Sequence, residues 1–451
     1  MSETTLSPSI ARSLERIAGT DRLSVHGRVT RIIGQVVEAS SLDVALGELC
    51  RIESAGAPRV TTQVVGFHER GILLMPLGDL DGIHPGATVL PLRRSLDVEV
   101  GDGLVGRVLD GLGRPMDGLG PVGAVRRYAL NAEVPNPLER TRISAPLGTG
   151  VRAIDGLITL GRGQRIGIMA GSGVGKSVLL GMVARRTTAD INVIALLGER
   201  GREVREFIER DLGPEGLRRS IVIVATSDQP AVIRATGAFV ATAIAEYFRD
   251  AGRDVLLMMD SITRVAMAWR EMGLSVGEPP ATKGYPPSVF AQLPKLLERA
   301  GTGRVGSITG LYTVLVEGDD FNEPVADAAR SILDGHIVLT RRLAAQKHFP
   351  AIDVLESVSR VRDAVITPEH LQAANTFLRL EAAYRNNEDL LAVGAYKQGA
   401  DKLTDTAVVL REEMLAFTRQ RPEDGTSLED SRARIASIAQ RANTMLNGRP
   451  T

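Results

Sequence analysis

The sequence predicts an α/β chain in three parts: an N-terminal β-barrel, a central parallel sheet wrapped by helices, and a C-terminal helical domain. Three observations predict it. From Gly27 to about Arg93, short apolar or alternating runs are cut by glycine, at the spacing of a small closed all-β domain. Between about Ile143 and Val365, strand-like apolar runs alternate with helix-like ones, as in a parallel sheet covered on both faces. From Thr367 onward the β-branched runs stop and the chain reads as helices. At 451 residues the chain is too long for one ordinary core.

In order, residues 1–24 are polar, with one short candidate helix carrying Ile10, Leu14 and Ile17 on one face. Such a helix cannot stand alone in water, so it packs on its own domain or awaits a partner. The barrel is expected over 25–95, with strands at 29–37, 47–52, 60–67, 71–75 and 88–91. Residues 96–142 read as a connector, glycine-rich at first and stiffened by Pro135 and Pro137. The central domain, 143–366, should place strands at 166–169, 191–197, 221–226, 255–259, 307–316 and 336–339, with helices at 176–186, 203–210 and 229–250. In the helical domain, 367–451, the candidate core residues are Leu371, Phe377 and Leu378, and 420–427 is a polar break.

Composition narrows the function classes. Basic and acidic residues balance at 54 each, which argues against a general nucleic-acid or anionic-membrane surface. Aromatics are only 4% of the chain, so stacking platforms for single-stranded nucleic acid are not evident. One cysteine, Cys50, leaves no internal disulfide and fits a reducing compartment. The longest apolar runs fall short of the roughly 20 residues of a membrane span, and the polar start has no signal-peptide core. A cytoplasmic protein is expected.

The chemistry concentrates after the candidate strand at 166–169. There Gly171, Ser172, Gly173, Val174, Gly175, Lys176, Ser177 and Val178 lead from strand to helix. Three glycines let the backbone curl so that successive N–H groups face phosphate oxygens. Lys176 can reach the β- and γ-phosphates, Ser177 can offer its hydroxyl to Mg²⁺, and the helix that follows adds its positive end. The first position of the G-x-x-x-x-G-K-[ST] pattern is Ala170, which mainly ends the strand. The run from Val255 to Asp260 is a buried strand closing in a carboxylate, the arrangement in which Asp260 serves the Mg²⁺ shell. Leu197-Gly-Glu-Arg-Gly-Arg-Glu203 follows the strand at 191–197 and puts Glu199 at the same sheet edge, a candidate base for the attacking water. In the stretch from Phe349 to Arg360, spacing singles out nothing.

Taken together, Ala170 to Ser177, Gly198 to Val204, Asp260-Ser-Ile-Thr-Arg264, Pro279 to Val289 and Pro350-Ala-Ile-Asp-Val-Leu-Glu-Ser-Val-Ser359 resemble the rotary ATP synthase α/β superfamily. Within it they are similar to the type III export ATPases, most closely the flagellum-specific branch, which usually shows alanine at the position of Ala170. The resemblance covers about residues 25–400. It implies a RecA-like central domain, Mg-ATP hydrolysis, Lys176 on the phosphates, Ser177 and Asp260 on Mg²⁺, and Glu199 activating water. It further implies Arg200 by the γ-phosphate, Arg264 near the same site, Phe349 stacking on adenine, and Arg360 as the arginine finger given to a neighbouring subunit. A homohexameric ring follows, peripherally associated with the inner-membrane export apparatus. The implied partners are a stalk-like regulator dimer at the N-terminus, a small coiled-coil protein in the ring centre, export gate proteins and chaperone–substrate complexes, with no nucleic acid. The implied role is to energise unloading and entry of export substrates during flagellum assembly.

The nearest alternative, an ATP synthase β-type subunit, shares every catalytic residue. The segment Val64 to Leu77 leading into Gly82-Ile-His-Pro-Gly-Ala87 looks flagellar rather than injectisome-like. An ATP synthase β-type subunit would carry an acidic shaft-contacting loop, where this chain has Gly394-Ala-Tyr-Lys-Gln-Gly-Ala-Asp401. Non-catalytic subunits lack the carboxylate that Glu199 supplies. A hexameric RNA translocase would want aromatics in the barrel, which offers only Phe67.

Overall fold

The computed structural model describes residues 25–69, 71–316 and 323–448. The candidate helix at 1–24 lies outside the described residues. Two compact units are formed, one ending at Leu96 and the other running from Asp97.

The first unit contains six strands: β1 (Gly27–Ile33), β2 (Val36–Ser40), β3 (Glu48–Glu53), β4 (Val60–His68), β5 (Gly71–Pro76) and β6 (Thr88–Ser95). They close into a barrel in the order β1-β2-β5-β4-β3-β6, every pairing antiparallel. Alternation sends Val37, Ala39, Ile52, Val64, Leu74 and Val89 into a dry interior that Cys50 shares. The run at 29–37, expected as one strand, is a hairpin. Gly34 takes φ 56, a value that L side chains rarely adopt, and turns Ile33 back against Val36. At Gly71 a side chain is impossible, since an added Cβ would lie 1.9 Å from the carbonyl oxygen of Ala39.

The second unit begins with β7 (Asp97–Val100), β8 (Val108–Asp110) and β9 (Arg126–Ala129), so the segment read as a connector carries three strands. β7 pairs with β9, and β8 joins the main sheet. Three residues with one apolar core member, Leu109, give too short a run to read from sequence as part of a distant sheet. After the short β10 (Pro146–Leu147) and β11 (Leu160–Gly161) come β12 (Arg165–Ala170), β13 (Ile191–Leu197), β14 (Ser220–Ala225) and β15 (Asp254–Asp260). They are followed by β16 (Gly301–Thr302), β17 (Ser307–Leu315), β18 (Gly335–Leu339) and β19 (Ile352–Ser359). The order across the sheet is β19-β18-β12-β17-β15-β13-β14-β8, with β16 pairing only with β17. All neighbours on this path are parallel except β19, which runs antiparallel to β18. Strands such as β14 are buried at every residue, because helices cover both faces.

The helices follow the expected pattern with local shifts. The helix at 176–186 matches its expectation; that at 203–210 starts at Gly201 and widens into a π-turn over Phe207–Leu212. The helix expected at 229–250 begins at Ala231 behind Pro230, whose ring cannot donate to a preceding turn. By length and apolarity Ala231–Asp250 could cross a membrane, yet 78% of its apolar window is buried inside the protein. The C-terminal region consists of helices Pro368–Ala392, Lys402–Thr418 and Leu428–Asn447, capped by the side chains of Thr367, Asp401 and Ser427. Phe377 packs against Phe417 at 5.6 Å between ring centroids, and both belong to the same core as Ile154 and Leu157 of the central region.

Candidate active site

Parallel order decides the site. β12, β13 and β15 run in one direction, so whatever follows their carboxyl ends meets at one edge of the sheet. Leu196 pairs with Asp260, and Glu199 follows two residues after β13 ends. β12 delivers the glycine-rich loop to the same edge.

In that loop Gly173 and Gly175 take φ 80 and 86, values that a side chain would strain. Val174 is buried and anchors the loop, whereas Ser172 and Gly173 form its exposed tip. Gly175 caps the helix without any side-chain hydrogen bond, so the first-turn N–H groups are not held by a cap. Ser177 and Val178 are half-buried in that first turn.

Lys176 reaches across to both carboxylates. Its Nζ donates to Oδ1 of Asp260 and, at 3.4 Å, to Oε1 of Glu199. Asp260 also accepts the Thr313 hydroxyl at 2.7 Å. Burial works to lower the Lys176 pKa, but the charges of Asp260 and Glu199 outweigh it and the ammonium is raised above its usual value. The Glu199 carboxyl is pushed up, chiefly by burial and also by the negative charge of Asp260, against the pull of Lys176. A base so shifted sits closer to neutral pH than an ordinary glutamate. Arg264 lies over Gly198, where an added Cβ would come within 2.9 Å of its own Cβ, and its charge acts on Glu199.

Phe349 is 41% exposed, and its ring would be 3.4 Å from a Cβ added at Gly175, so it borders the loop. Two predicted residues are not brought to the cluster. The Arg200 side chain is 79% exposed and, among the described residues, pairs with Glu203 alone, at 3.5 Å. Arg360 is exposed at the end of β19, and there Ser359 pairs with Gly335, the first residue of β18. That is the edge of the sheet away from the loop.

The sequence reading missed Thr313 and Gln420. Thr313 is one hydroxyl in the apolar run of β17, visible as a site residue only once β17 is known to lie beside β15. Gln420 was read as the start of a polar break, yet it is 5% exposed and bonded to Phe349. Ser177 and Asp260 are hard oxygen donors of the kind Mg²⁺ takes together with phosphate and water oxygens.

Comparisons with known proteins agree with this geometry. The nucleotide-binding domain of the ATP synthase alpha/beta family matches residues 150–359, and that family's beta-barrel domain matches residues 29–93. The T3SS EscN ATPase C-terminal domain matches residues 366–437. The chain is 53% identical over 428 residues to the Flagellum-specific ATP synthase of Bacillus subtilis (strain 168), covering 94% of this chain and 98% of that protein. It is 48% identical over 439 residues to the Type 3 secretion system ATPase of Xanthomonas euvesicatoria, covering 96% and 99%. Among solved structures, the assembled ATPase EscN from the enteropathogenic E. coli type III secretion system matches with a TM-score of 0.87 at 46% identity, covering 92% of this chain and 100% of that one. The same ATPase in complex with its central stalk EscO matches with a TM-score of 0.86. With three family domains in order and relatives at about half identity along nearly its whole length, the chain belongs to the ATP synthase alpha/beta family, among its flagellum-specific and type III secretion members.

Proposed function

We propose that the protein hydrolyses Mg-ATP to ADP and phosphate for the flagellar type III protein export apparatus. The observation that carries the reading is Lys176, at the end of the glycine loop, held between Asp260 and Glu199. A triphosphate arriving at the loop offers Lys176 stronger acceptors than the two carboxylates. Asp260 is then free, with Ser177, to hold Mg²⁺, and Glu199 to face solvent in the cleft. When bound, Mg²⁺ neutralises charge on the β- and γ-phosphate oxygens. Glu199 accepts a proton from the attacking water as its oxygen bonds to the γ-phosphorus and the bond to the ADP oxygen breaks. Arg264, whose charge already acts on Glu199, supplies positive charge near the γ-phosphate; Arg200, exposed and paired with Glu203, would have to turn inward to join it, and Phe349 stacks on adenine beside Gly175.

Arg360 serves a neighbouring subunit. β18 holds five residues between its two ends, so about 15 Å of strand separates Arg360 from the loop edge of its own chain. A finger that cannot reach its own site fits a ring with sites between subunits, and the assembled state of EscN supports a homo-oligomer; that the ring has six subunits follows the family resemblance. The EscO complex supports a central stalk partner, and its being a small coiled-coil protein follows the family resemblance. The remaining partners follow the family resemblance: a regulator dimer at the N-terminus, export gate proteins, and chaperone–substrate complexes at the C-terminal helices. The protein works in the cytoplasm at the inner-membrane export apparatus.

The flagellar relatives favour this apparatus, while the secretion-system relatives leave the injectisome as the second reading. Replacing the gene with a Glu199→Gln copy and measuring exported flagellin and hook protein tests it. Loss of flagellar proteins with other secreted effectors unchanged is expected. Normal flagellar export with effectors lost moves the protein to the injectisome.

A further inference from the structure

Arg360 is tied back to the strand that leads to this chain's own glycine loop. Asp334 directly precedes β18 and lies beside Arg165, the first residue of β12. Its carboxylate takes three hydrogen bonds from Arg165: Oδ2 accepts the main-chain N–H at 3.0 Å and Nε at 3.1 Å, and Oδ1 accepts Nη2 at 3.2 Å. The Asp334 N–H donates to the Arg165 carbonyl at 2.8 Å. Both side chains are largely buried. A guanidinium laid on a carboxylate in this way fixes orientation as well as distance.

The carbonyl of the same residue holds Arg360. It accepts the Arg360 N–H at 2.9 Å and Nε2 of Gln164 at 3.1 Å. Gln164 is fully buried, and its Nε2 also donates to the hydroxyl of Ser359 at 3.1 Å. Arg360 and the residue before it are therefore anchored on two consecutive residues at the start of β12. Beyond that anchor Arg360 is exposed. Among the described residues its guanidinium has no carboxylate partner, and it makes a 3.5 Å hydrogen bond to the Arg330 carbonyl. A long side chain that meets a phosphate across a subunit boundary keeps its aim only if its main chain is fixed, since a misplacement of about 1 Å can cost about a hundredfold in rate.

We propose that Asp334 is a positioning residue for Arg360, its carboxylate clamping the base of the finger to β12. The inference rests on the reading of Arg360 as a finger that acts on the neighbouring subunit's nucleotide. A stitch that served only the ends of two strands would make the same bonds but would not act on the neighbour's site.

The test is made on full-length Asp334→Asn, which removes the charge and keeps the shape. Its kcat should fall about tenfold, as for a slightly displaced finger, while binding of a non-hydrolysed ATP analogue with Mg²⁺ stays within about twofold of wild type. Mixing then locates the defect. With Lys176→Ala, which has an intact finger and no working loop, ATPase activity should rise above the mean of the two components. With Arg360→Ala, whose loop is intact, it should not, because neither subunit supplies a sound finger. The reverse pattern would place the defect in the variant's own loop and overturn the proposal. Recovery with both partners or with neither overturns it as well, and so does a kcat within about twofold of wild type. Should Asp334→Asn not fold, Arg165→Lys takes its place, since an ammonium cannot reproduce the two-pronged pairing, and the same mixing pattern is expected. If Lys176→Ala mixed with Arg360→Ala stays inactive, the finger reading falls and this inference with it.

Discussion

The backbone N–H of Gln420 donates a 2.9 Å hydrogen bond to the carbonyl oxygen of Phe349. The turn between the last two helices thereby holds the residue that borders the glycine loop. The Gln420 side chain is itself fixed, accepting the Arg152 amide at 2.9 Å and donating to the carbonyls of Gly150 and Asp424 at 2.8 Å each. Arg152 in turn donates to the carbonyl of Phe417 at 2.9 Å. The C-terminal helices and the nucleotide edge are thus joined through a few buried hydrogen bonds.

Gln420→Ala keeps the main-chain bond to Phe349 but loses the side-chain bonds that fix the turn, so it should act on stability and, through a less firmly held Phe349, on nucleotide affinity. It leaves the buried Arg152 amide without a partner and takes one from the Gly150 carbonyl, at about 1–3 kcal/mol per orphaned group. A lower melting temperature and a higher KM for ATP are expected. A lowered melting temperature with KM unchanged would confine the turn to a structural role.

Glu199→Gln should bind ATP and lose turnover, and its pH behaviour has a definite sign. The folded-state pKa of Glu199 is raised, so its stabilising contribution is full below the unfolded value, about 4.3, and is lost as pH rises through the folded value. At neutral pH the anion is a cost to the fold. The glutamine variant should melt higher than wild type near pH 7, with the gain shrinking on acidification. The acid limb of the wild-type kcat/KM profile, which reports the enzyme without bound nucleotide, should lie above the ordinary glutamate range. An acid limb at about 4.3 would argue against Glu199 as the base.

Arg360→Ala should retain nucleotide binding and lose most turnover. Mixing it with Lys176→Ala gives a sharper test of where the arginine acts. Each variant alone is inactive, but in a mixed ring some interfaces combine an intact Lys176 from one subunit with an intact Arg360 from the next. ATPase activity should reappear on mixing. If the mixture stays as inactive as its components, the finger does not act between subunits.

Asp155 is fully buried, and burial outweighs its hydrogen bonds from Thr149 and Gly150 to push its carboxyl up to about 6. Its contribution to stability is therefore present below the unfolded value and lost as pH rises through about 6. Comparing melting temperatures of wild type and Asp155→Asn across that window checks this. The difference should move in favour of the asparagine variant as pH rises, and a difference independent of pH would show that the carboxyl keeps an unshifted pKa in the fold.

Local chemistry was legible in the sequence. Glycines at 171, 173 and 175 before Lys176 and Ser177 announce their loop because the positive φ of Gly173 and Gly175 and the strand-to-helix change fall within a dozen residues. The strand at 191–197 and the helix at 176–186 were readable for the same reason: hydrophobic periodicity is a property of neighbouring residues. Family resemblance supplied Phe349 and Arg360, which spacing did not.

What the sequence by itself determined was the inventory: a barrel, a phosphate loop, strands ending in Asp260 and before Glu199, and a helical tail. Only the tertiary structure decided the order of the strands. That order set Thr313 against Asp260, brought β8 in from a segment read as a connector, ran β19 antiparallel so that Arg360 faces away from its own loop, and joined Asp334 to Arg165. The reason is physical. Periodicity records which face of an element is buried, whereas the neighbour each strand takes follows from packing between segments tens to hundreds of residues apart, which no local pattern encodes.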